Sequence, residues 1–375
     1  MRLLIAGGGT GGHLFPGIAV AEEFVSRDPE NKVMFMGTEK GIEAKLIPPL
    51  GYRLAIIRSR GLVEKALFDR LKAMLTLPVG LLQAMRCIIQ FNPDFALGVG
   101  GYVSGPGLLA AWILHVPCAV QEQNTVPGMT NRILSRLVAR VFISFEESRS
   151  NFAQADKKRK IILTGNPIRK AILKNLSGTE KPPDDNSRFC ILILGGSQGA
   201  HKINQLMMEA IPCLERYHRR LKIIHQTGDQ DERDVAQAYA DSGFRAEVRP
   251  FIQNLGEYLL RAHLVVSRAG AGAVAEIALS GRPGILIPFP HAASDHQTRN
   301  AEYLVRGGAA LMFSEAELTG EKLAGAIESI LQNENTRKEM ADRARSLARP
   351  RAASQLVDEI YALVKESART PGHEG

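Results

Sequence analysis

The sequence predicts an α/β protein of two doubly wound parallel-sheet domains facing a cleft. Three observations predict it. Short apolar runs alternate with helical patterns, the rhythm of βαβ units. A strand followed by a glycine-rich turn and a helix appears twice, at Gly7 and again at Gly195, half a chain apart. The 375 residues exceed what one hydrophobic core organises, and 45% apolar residues are enough to fill two.

The elements follow in order. LLIA at 3–6 reads as a strand running into Gly7-Gly8-Gly9-Thr10-Gly11-Gly12, and the segment from His13 as a helix with Pro16 in its first turn, where a missing N–H does no harm. Strands are expected at 33–36, 95–97, 119–120, 139–144 and 161–164, with amphipathic segments between them. Residues 95–121 contain no Asp, Glu, Lys or Arg, but Gly98, Gly100, Gly101, Gly105, Pro106, Gly107 and Pro117 interrupt them. They read as strand, glycine loop, apolar helix over 108–114 and strand, not as a membrane span. SGTEKPPDDNSR at 177–188 is a surface connection. The second half then repeats the theme, with strands at 190–194, 221–225, 247–251, 264–267 and 284–287. One or two surface helices are expected from about Arg343, and a disordered tail from Ser367. The domains so defined are 1–166 and 167–345, with a C-terminal helix at about 346–366 packing back on the first and a flexible tail at 367–375.

The net charge of +8 and pI near 9.3 favour acidic partners such as phosphorylated substrates or an anionic membrane. Nucleic acid is not expected, because it wants aromatic platforms and aromatics are only 6%, with Trp112 the single tryptophan. Cys87, Cys118, Cys190 and Cys213 are scattered singletons in apolar stretches, which suggests buried thiols in a reducing compartment. Only four apolar residues follow Arg2 before the glycines, too few for a secretory signal.

Gly7-x-Gly9-x-x-Gly12 matches the dinucleotide pattern, whose glycines allow a tight turn and aim a helix N-terminus at pyrophosphate. A nicotinamide enzyme also wants an acid at the end of the second strand, and here VMFM ends in Gly37-Thr38 with Glu39 beyond it. No Gly-Lys-Ser/Thr follows either glycine turn, which excludes a P-loop. His13, at a helix N-terminus, is disfavoured as a cation and so stays neutral and able to accept a proton; it reads equally as a structural histidine. In SRAGAGAVAE at 267–276, small residues admit a ligand to the backbone and Glu276 suits two vicinal ribose hydroxyls. In PFPHAASDHQ at 288–297, His291, Asp295, His296 and Gln297 suit sugar hydroxyls. A metal is not expected there, because no third histidine sits at ligand spacing.

GGGTGGHLFPG, GGYVSGP at 100–106, EQNTVPG at 122–128, GNPIR at 165–169, GGSQGA at 195–200, SRAGAGAVAE and PFPHAASDHQ together resemble the MurG family of bacterial glycosyltransferases, in register over nearly the whole chain. The resemblance implies two Rossmann-like domains in the glycosyltransferase B architecture. It implies inverting transfer of N-acetylglucosamine from UDP-N-acetylglucosamine to the 4-hydroxyl of the muramoyl sugar in undecaprenyl-pyrophosphoryl-MurNAc-pentapeptide, with no cofactor. The donor would sit in the C-terminal domain and the lipid acceptor in the N-terminal one. Carried over by motif, Thr10, Gly11, Gly12, Asn124, Arg169 and Ser197 contact the donor, Ile252 meets uracil through its backbone, and Gln297 reaches the sugar. Ala271, Gly272, Ala273, Val274, Ala275 and Glu276 frame the diphosphate and ribose. The family commonly has a hydroxyl residue where Ala273 stands, so that position keeps only its backbone donor. Gly100, Gly101, Tyr102 and Ser104 are the expected acceptor loop, and His13 and Glu122 are candidate bases.

Such an enzyme works at the cytoplasmic face of the membrane. Residues 62–90 offer Leu67, Phe68, Leu71, Leu75, Leu77, Val79, Leu81 and Leu82 beside Lys65, Arg70, Lys72 and Arg86, a pattern suited to an anionic interface or to ordinary core beneath a basic surface. The competing readings are another glycosyltransferase of the same architecture acting on a different lipid or small acceptor, a nicotinamide dehydrogenase, and a non-catalytic binding module. Both halves carry their glycine turns, which argues against the last.

Overall fold

Uninterrupted aliphatic runs make strands that are covered on both faces, and Phe95–Gly98 and Phe189–Leu194 bury every residue. The computed structural model describes residues 1–59, 67–177, 188–196 and 199–369. They form two compact units, Met1–Arg169 joined by the segment from Arg351, and Lys170–Pro350.

The first unit holds seven strands: β1 (Arg2–Ala6), β2 (Lys32–Gly37), β3 (Arg53–Ile56), β4 (Phe95–Gly98), β5 (Cys118–Glu122), β6 (Arg140–Ile143) and β7 (Ile161–Leu163). They are all parallel, in the order β3-β2-β1-β4-β5-β6-β7. The second unit holds six: β8 (Phe189–Leu194), β9 (Leu221–Gln226), β10 (Arg245–Arg249), β11 (Leu264–Ser267), β12 (Gly284–Leu286) and β13 (Ala310–Met312). These are parallel in the order β10-β9-β8-β11-β12-β13. The chain direction across each sheet reverses between β1 and β4 and between β8 and β11, where doubly wound sheets bind ligands. Ala6 pairs with Met36 and with Gly98, and Leu194 with Gln226 and Ser267, so in each unit three strand ends finish level and their loops lie side by side.

Alternate residues of each strand feed opposite faces. In the first unit Leu3, Ile5, Phe35 and Leu97 pack with Leu14, Ile18 and Phe24 of the helix Gly11–Arg27. Leu4, Ala6, Met34 and Val120 pack on the other face with Leu108 and Ala111 of the helix Ser104–Ile113 and with Ala84 and Ile88 of the helix Leu67–Phe91. The helix Ala352–Arg369 closes the first of these faces with Leu356, Val357, Ile360 and Leu363. Asn31 fastens it: its Nδ2 donates to Phe24 O (2.7 Å) and to Tyr361 Oη (2.6 Å), while the N-terminal ammonium donates to its Oδ1 (2.9 Å).

The structure departs from the sequence reading at the margins. β3 and β13 are short edge strands with partly exposed residues and no clean apolar run, and they are missing from the expected set. β10 starts at Arg245 and ends at Arg249, because Pro250 has no N–H to continue the ladder. The last helix lies in the core of the first unit, and it carries Ser367 to Arg369 in its last turn where a tail was expected. Cys118 and Cys190 are buried, their thiols pushed up by desolvation to about 12 and about 11, but Cys213 is exposed.

A buried polar chain runs through the second unit. Asn204 Nδ2 donates to Thr227 O (2.9 Å) and Asp231 Oδ2 (2.7 Å), leaving its Oδ1 to accept from His225 Nε2 (2.9 Å). That assignment makes His225 Nδ1 the acceptor for the Tyr239 hydroxyl (3.0 Å), so the ring is neutral. Burial agrees, pushing the His225 pKa down to about 3.

Two measurements test this packing. Ile360→Ala should cost the first unit about 2–5 kcal/mol, read as a lower urea midpoint for Trp112 fluorescence, since the only tryptophan lies in that unit. The unfolded chain protonates His225 below its ordinary pKa near 6.5 while the folded chain does not until about 3. The neutral His225 contribution is therefore complete above pH 6.5 and declines as pH falls towards 3, by up to about 1.4 kcal/mol per unit. Urea unfolding followed by circular dichroism should lose more stability between pH 7 and pH 5 in the native chain than in His225→Gln.

Candidate active site

The first glycine turn joins β1 to the helix Gly11–Arg27. A Cβ at Gly7 would fall 2.5 Å from Val99 Cγ2 and 2.7 Å from Gly100 O, so only glycine lets β1 leave the sheet beside β4. Thr10 stands at the helix start with its Oγ1 3.0 Å from His13 Nδ1 instead of capping a backbone N–H. The His13 ring lies over Gly100, whose imagined Cβ would come within 2.6 Å of Cδ2 and 3.1 Å of Nε2. Thr10 and Gly12 are exposed, Gly11 is buried and His13 half-buried.

Gly100 and Gly101 both take positive φ (94° and 79°), which lets the next turn press against the first: a Cβ at Gly101 would strike Gly8 O. Tyr102 is 53% exposed. Ser104 is fully buried, and its hydroxyl accepts from Gly100 N–H (3.0 Å) and donates to Ala6 O (2.7 Å), so it clips two turns together.

Glu122 ends β5 and is 1% exposed. Its carboxylate accepts from the N–H groups of Asn124 (2.9 Å) and Gly128 (3.2 Å) and from Asn131 Nδ2 (2.9 Å). Desolvation raises its pKa, with those donors opposing. In this geometry Glu122 closes the 124–128 turn and so sets the half-buried Asn124. Arg169 stacks its guanidinium over Phe15 at 4.8 Å, on the helix that carries His13.

In the second unit Gln226 ties two turns together. Its Nε2 donates to Gly196 O (2.6 Å) and its Oε1 accepts from Ile252 N–H (3.0 Å). Because that N–H is engaged, Ile252 can offer a uracil only its carbonyl. Ser197, between Gly196 and Gly199, lies outside the described residues. The helix Ala271–Ser280 starts after Gly270, which supplies no side-chain cap, so Ala271, Gly272 and Ala273 bring uncapped first-turn amides to the end of β11. Val274 is buried, while Ala275 and Glu276 lie half-buried one turn further on.

Gln297 Oε1 accepts from Ala269 N–H (3.3 Å) and Phe289 N–H (3.0 Å), which orients its amino end as a donor. Arg268 supports the same loop, donating to Ile287 O (3.1 Å) and Pro288 O (3.2 Å) and pairing with Glu315. Ser294 and Asp295 both adopt positive φ (53° and 52°), a strained geometry for residues with side chains. Asp295 Oδ1 accepts from Thr298 and His296 Nδ1 donates to Ala293 O, so these two hold the loop's shape. Among the described residues no group of three or more His, Cys, Asp or Glu is arranged to hold a metal.

Sequence reasoning missed Glu43, Gln226 and Asn204, whose side chains bond loop backbone, and Asn131, which bonds Gln121 O in β5 and the Glu122 carboxylate. Their residue types carry no pattern along the chain, and Glu43 and Gln226 stand 34 and 30 residues from the glycines they bond.

The family model for the glycosyltransferase family 28 N-terminal domain matches residues 3–143, and that for the C-terminal domain matches residues 190–356. The chain is 46% identical to the UDP-N-acetylglucosamine--N-acetylmuramyl-(pentapeptide) pyrophosphoryl-undecaprenol N-acetylglucosamine transferase of Myxococcus xanthus, over 100% of this chain and 96% of that one. It is 46% identical to the transferase of the same name from Geobacter sulfurreducens, over 98% and 100%. The crystal structure of Acinetobacter baumannii MurG matches with a TM-score of 0.77 at 31% identity, covering 96% of this chain and 99% of that one. A UDP-GlcNAc 2-epimerase from Neisseria meningitidis, bound to UDP-GlcNAc, matches with a TM-score of 0.67 at 13% identity, over 96% and 100%, and shares the fold alone. With both domain models matched in order and near-full-length identity of this size, the chain belongs to the MurG family of glycosyltransferases.

Proposed function

We propose that this enzyme transfers N-acetylglucosamine from UDP-N-acetylglucosamine to the 4-hydroxyl of the muramoyl sugar in undecaprenyl-pyrophosphoryl-MurNAc-pentapeptide, with inversion. The observation that carries the reading is the 46% identity, across essentially the whole chain, to transferases named for these substrates. The second unit takes the donor. The Ile252 carbonyl serves uracil, Glu276 the ribose hydroxyls and Gln297 Nε2 the sugar. The N-terminus of the helix Ala271–Ser280 faces the diphosphate with its amides. In the first unit, Gly100, Gly101 and Tyr102 receive the acceptor.

The reaction is one displacement. The acceptor oxygen forms a bond to the sugar's anomeric carbon while that carbon's bond to the diphosphate breaks and UDP departs with the electron pair. The hydroxyl proton passes to His13 Nε2. For Nε2 to carry a lone pair, Nδ1 must hold the ring proton and donate it to Thr10 Oγ1, which the 3.0 Å contact allows. Fixed backbone dipoles at the helix start take the charge that develops on UDP without reorganising.

The acceptor's lipid calls for a membrane surface, and we assign it to the first unit. Leu77, Val79 and Leu82 of the helix Leu67–Phe91 are exposed, as are Trp112 and Ile113 of the helix packed against it, with Arg86 beside them. Apolar residues next to cations fit peripheral contact with anionic lipid at the cytoplasmic face. Of the expected segment 62–90, residues 62–66 lie outside the described residues. Among the described residues no helix is long and apolar enough to cross a membrane.

His13→Ala should lower kcat by about 10²- to 10⁴-fold and leave UDP affinity near native by calorimetry; near-native turnover would defeat the base assignment. Leu82→Glu should reduce flotation with anionic liposomes without altering UDP affinity, and unchanged flotation would remove this helix as the contact.

A further inference from the structure

The acid that the dinucleotide pattern lacks at the end of β2 is present, reached from another direction. Glu43 opens the short helix Glu43–Leu46 and is completely buried. Its Oε2 accepts from Gly9 N–H at 2.8 Å. Its Oε1 accepts from Thr38 N–H at 2.8 Å and from the Thr38 hydroxyl at 3.1 Å. A Cβ at Gly8, Gly37 or Gly41 would strike the same carboxylate, so three glycines make room for one glutamate. In a nucleotide-binding turn the glycine amides face pyrophosphate. Here a carboxylate of the protein takes the Gly9 amide, and the Gly7 amide is donated to Met36 O at 3.2 Å. The first glycine turn is built around an internal anion.

What the carboxylate fixes lies one residue before Thr10, which contacts His13 Nδ1, and next to Gly8, whose carbonyl abuts Gly101. We infer that Glu43 is a positioning residue for glycosyl transfer, holding the first glycine turn so that Thr10 and His13 keep their place over Gly100. This rests on the assignment of His13 as the base. Removing one acceptor oxygen at Glu43 leaves at least one of three converging donors facing another donor, and the turn must then relax.

The test uses the full-length chain and its Glu43→Gln and Glu43→Asp variants, with UDP-N-acetylglucosamine and a lipid-linked muramoyl acceptor. Glu43→Gln should lower kcat by about 10- to 100-fold. Its UDP affinity should fall far less than its kcat, because the uracil, ribose and diphosphate contacts are assigned to the second unit. Amide exchange over residues 8–14 should accelerate while β8 and β9 stay protected. Glu43→Asp, which keeps two acceptor oxygens, should recover part of the turnover. Native kcat in Glu43→Gln despite faster exchange at 8–14 would overturn the positioning role, and so would unchanged exchange there. An equal loss of kcat and of UDP affinity would also overturn it, marking a general folding defect. Loss of turnover in Glu43→Gln alongside native turnover in His13→Ala would remove the base from the account while upholding the positioned turn.

Discussion

Backbone must touch backbone where the sheets end, and the whole site depends on that contact. Strand ends that finish level bring their loops into one small volume, and any Cβ there is an obstacle. At the first switch point Gly7 lies against Val99 and Gly100, and Gly101 against Gly8. At the second, a Cβ at Gly195 would strike the Gly199–Ala200 backbone and one at Gly199 the Thr227 carbonyl. The glycines are needed for this proximity before they are needed for any ligand. Proximity then brings helix N-termini to the strand ends, where their amides form a fixed dipole suited to an anion without further rearrangement.

Turns made of glycine have little side chain with which to hold themselves, and buried acids and amides from neighbouring elements do it for them. Glu43 holds Gly9, Glu122 holds Asn124 and Gly128, Gln226 holds Gly196 and Ile252, and Gln297 holds Ala269 and Phe289. Each bridges main-chain atoms of a loop that the strands alone would leave adjustable. Such supporting groups decide whether a site holds its working geometry. They also narrow what the loops can offer a ligand: Ile252 keeps only its carbonyl, and Gln297 its amino end.

The sheets were legible because their central strands are continuous aliphatic runs between glycines, as in LLIA and CILIL. β3 and β13 were not, since an edge strand with one partner and a wet face needs no such run. The two glycine turns and the helix start at 271 were legible for the same reason as the strands, because small residues in succession are rare outside close approaches. Side-chain bridges were not. Glu43 acts across Gly9 and Thr38 from a separate helix, and no periodicity marks a residue whose partners are main-chain atoms. Ser104 and Glu122 show the converse: the motif was visible, but not that both side chains are buried and hydrogen-bonded to neighbouring turns and residues.

The first unit is discontinuous in sequence, and this has a consequence for biosynthesis. Leu356, Val357, Ile360 and Leu363 leave the ribosome after all of residues 170–350. At ordinary elongation rates the delay is roughly 10–40 s. Throughout it, the sheet face around Leu14, Ile18 and Phe24 lacks its last covering layer, although every strand of that sheet already exists. The nascent chain thus carries a sticky N-terminal half until translation is nearly over, and truncation within the last helix would injure the half of the protein made first.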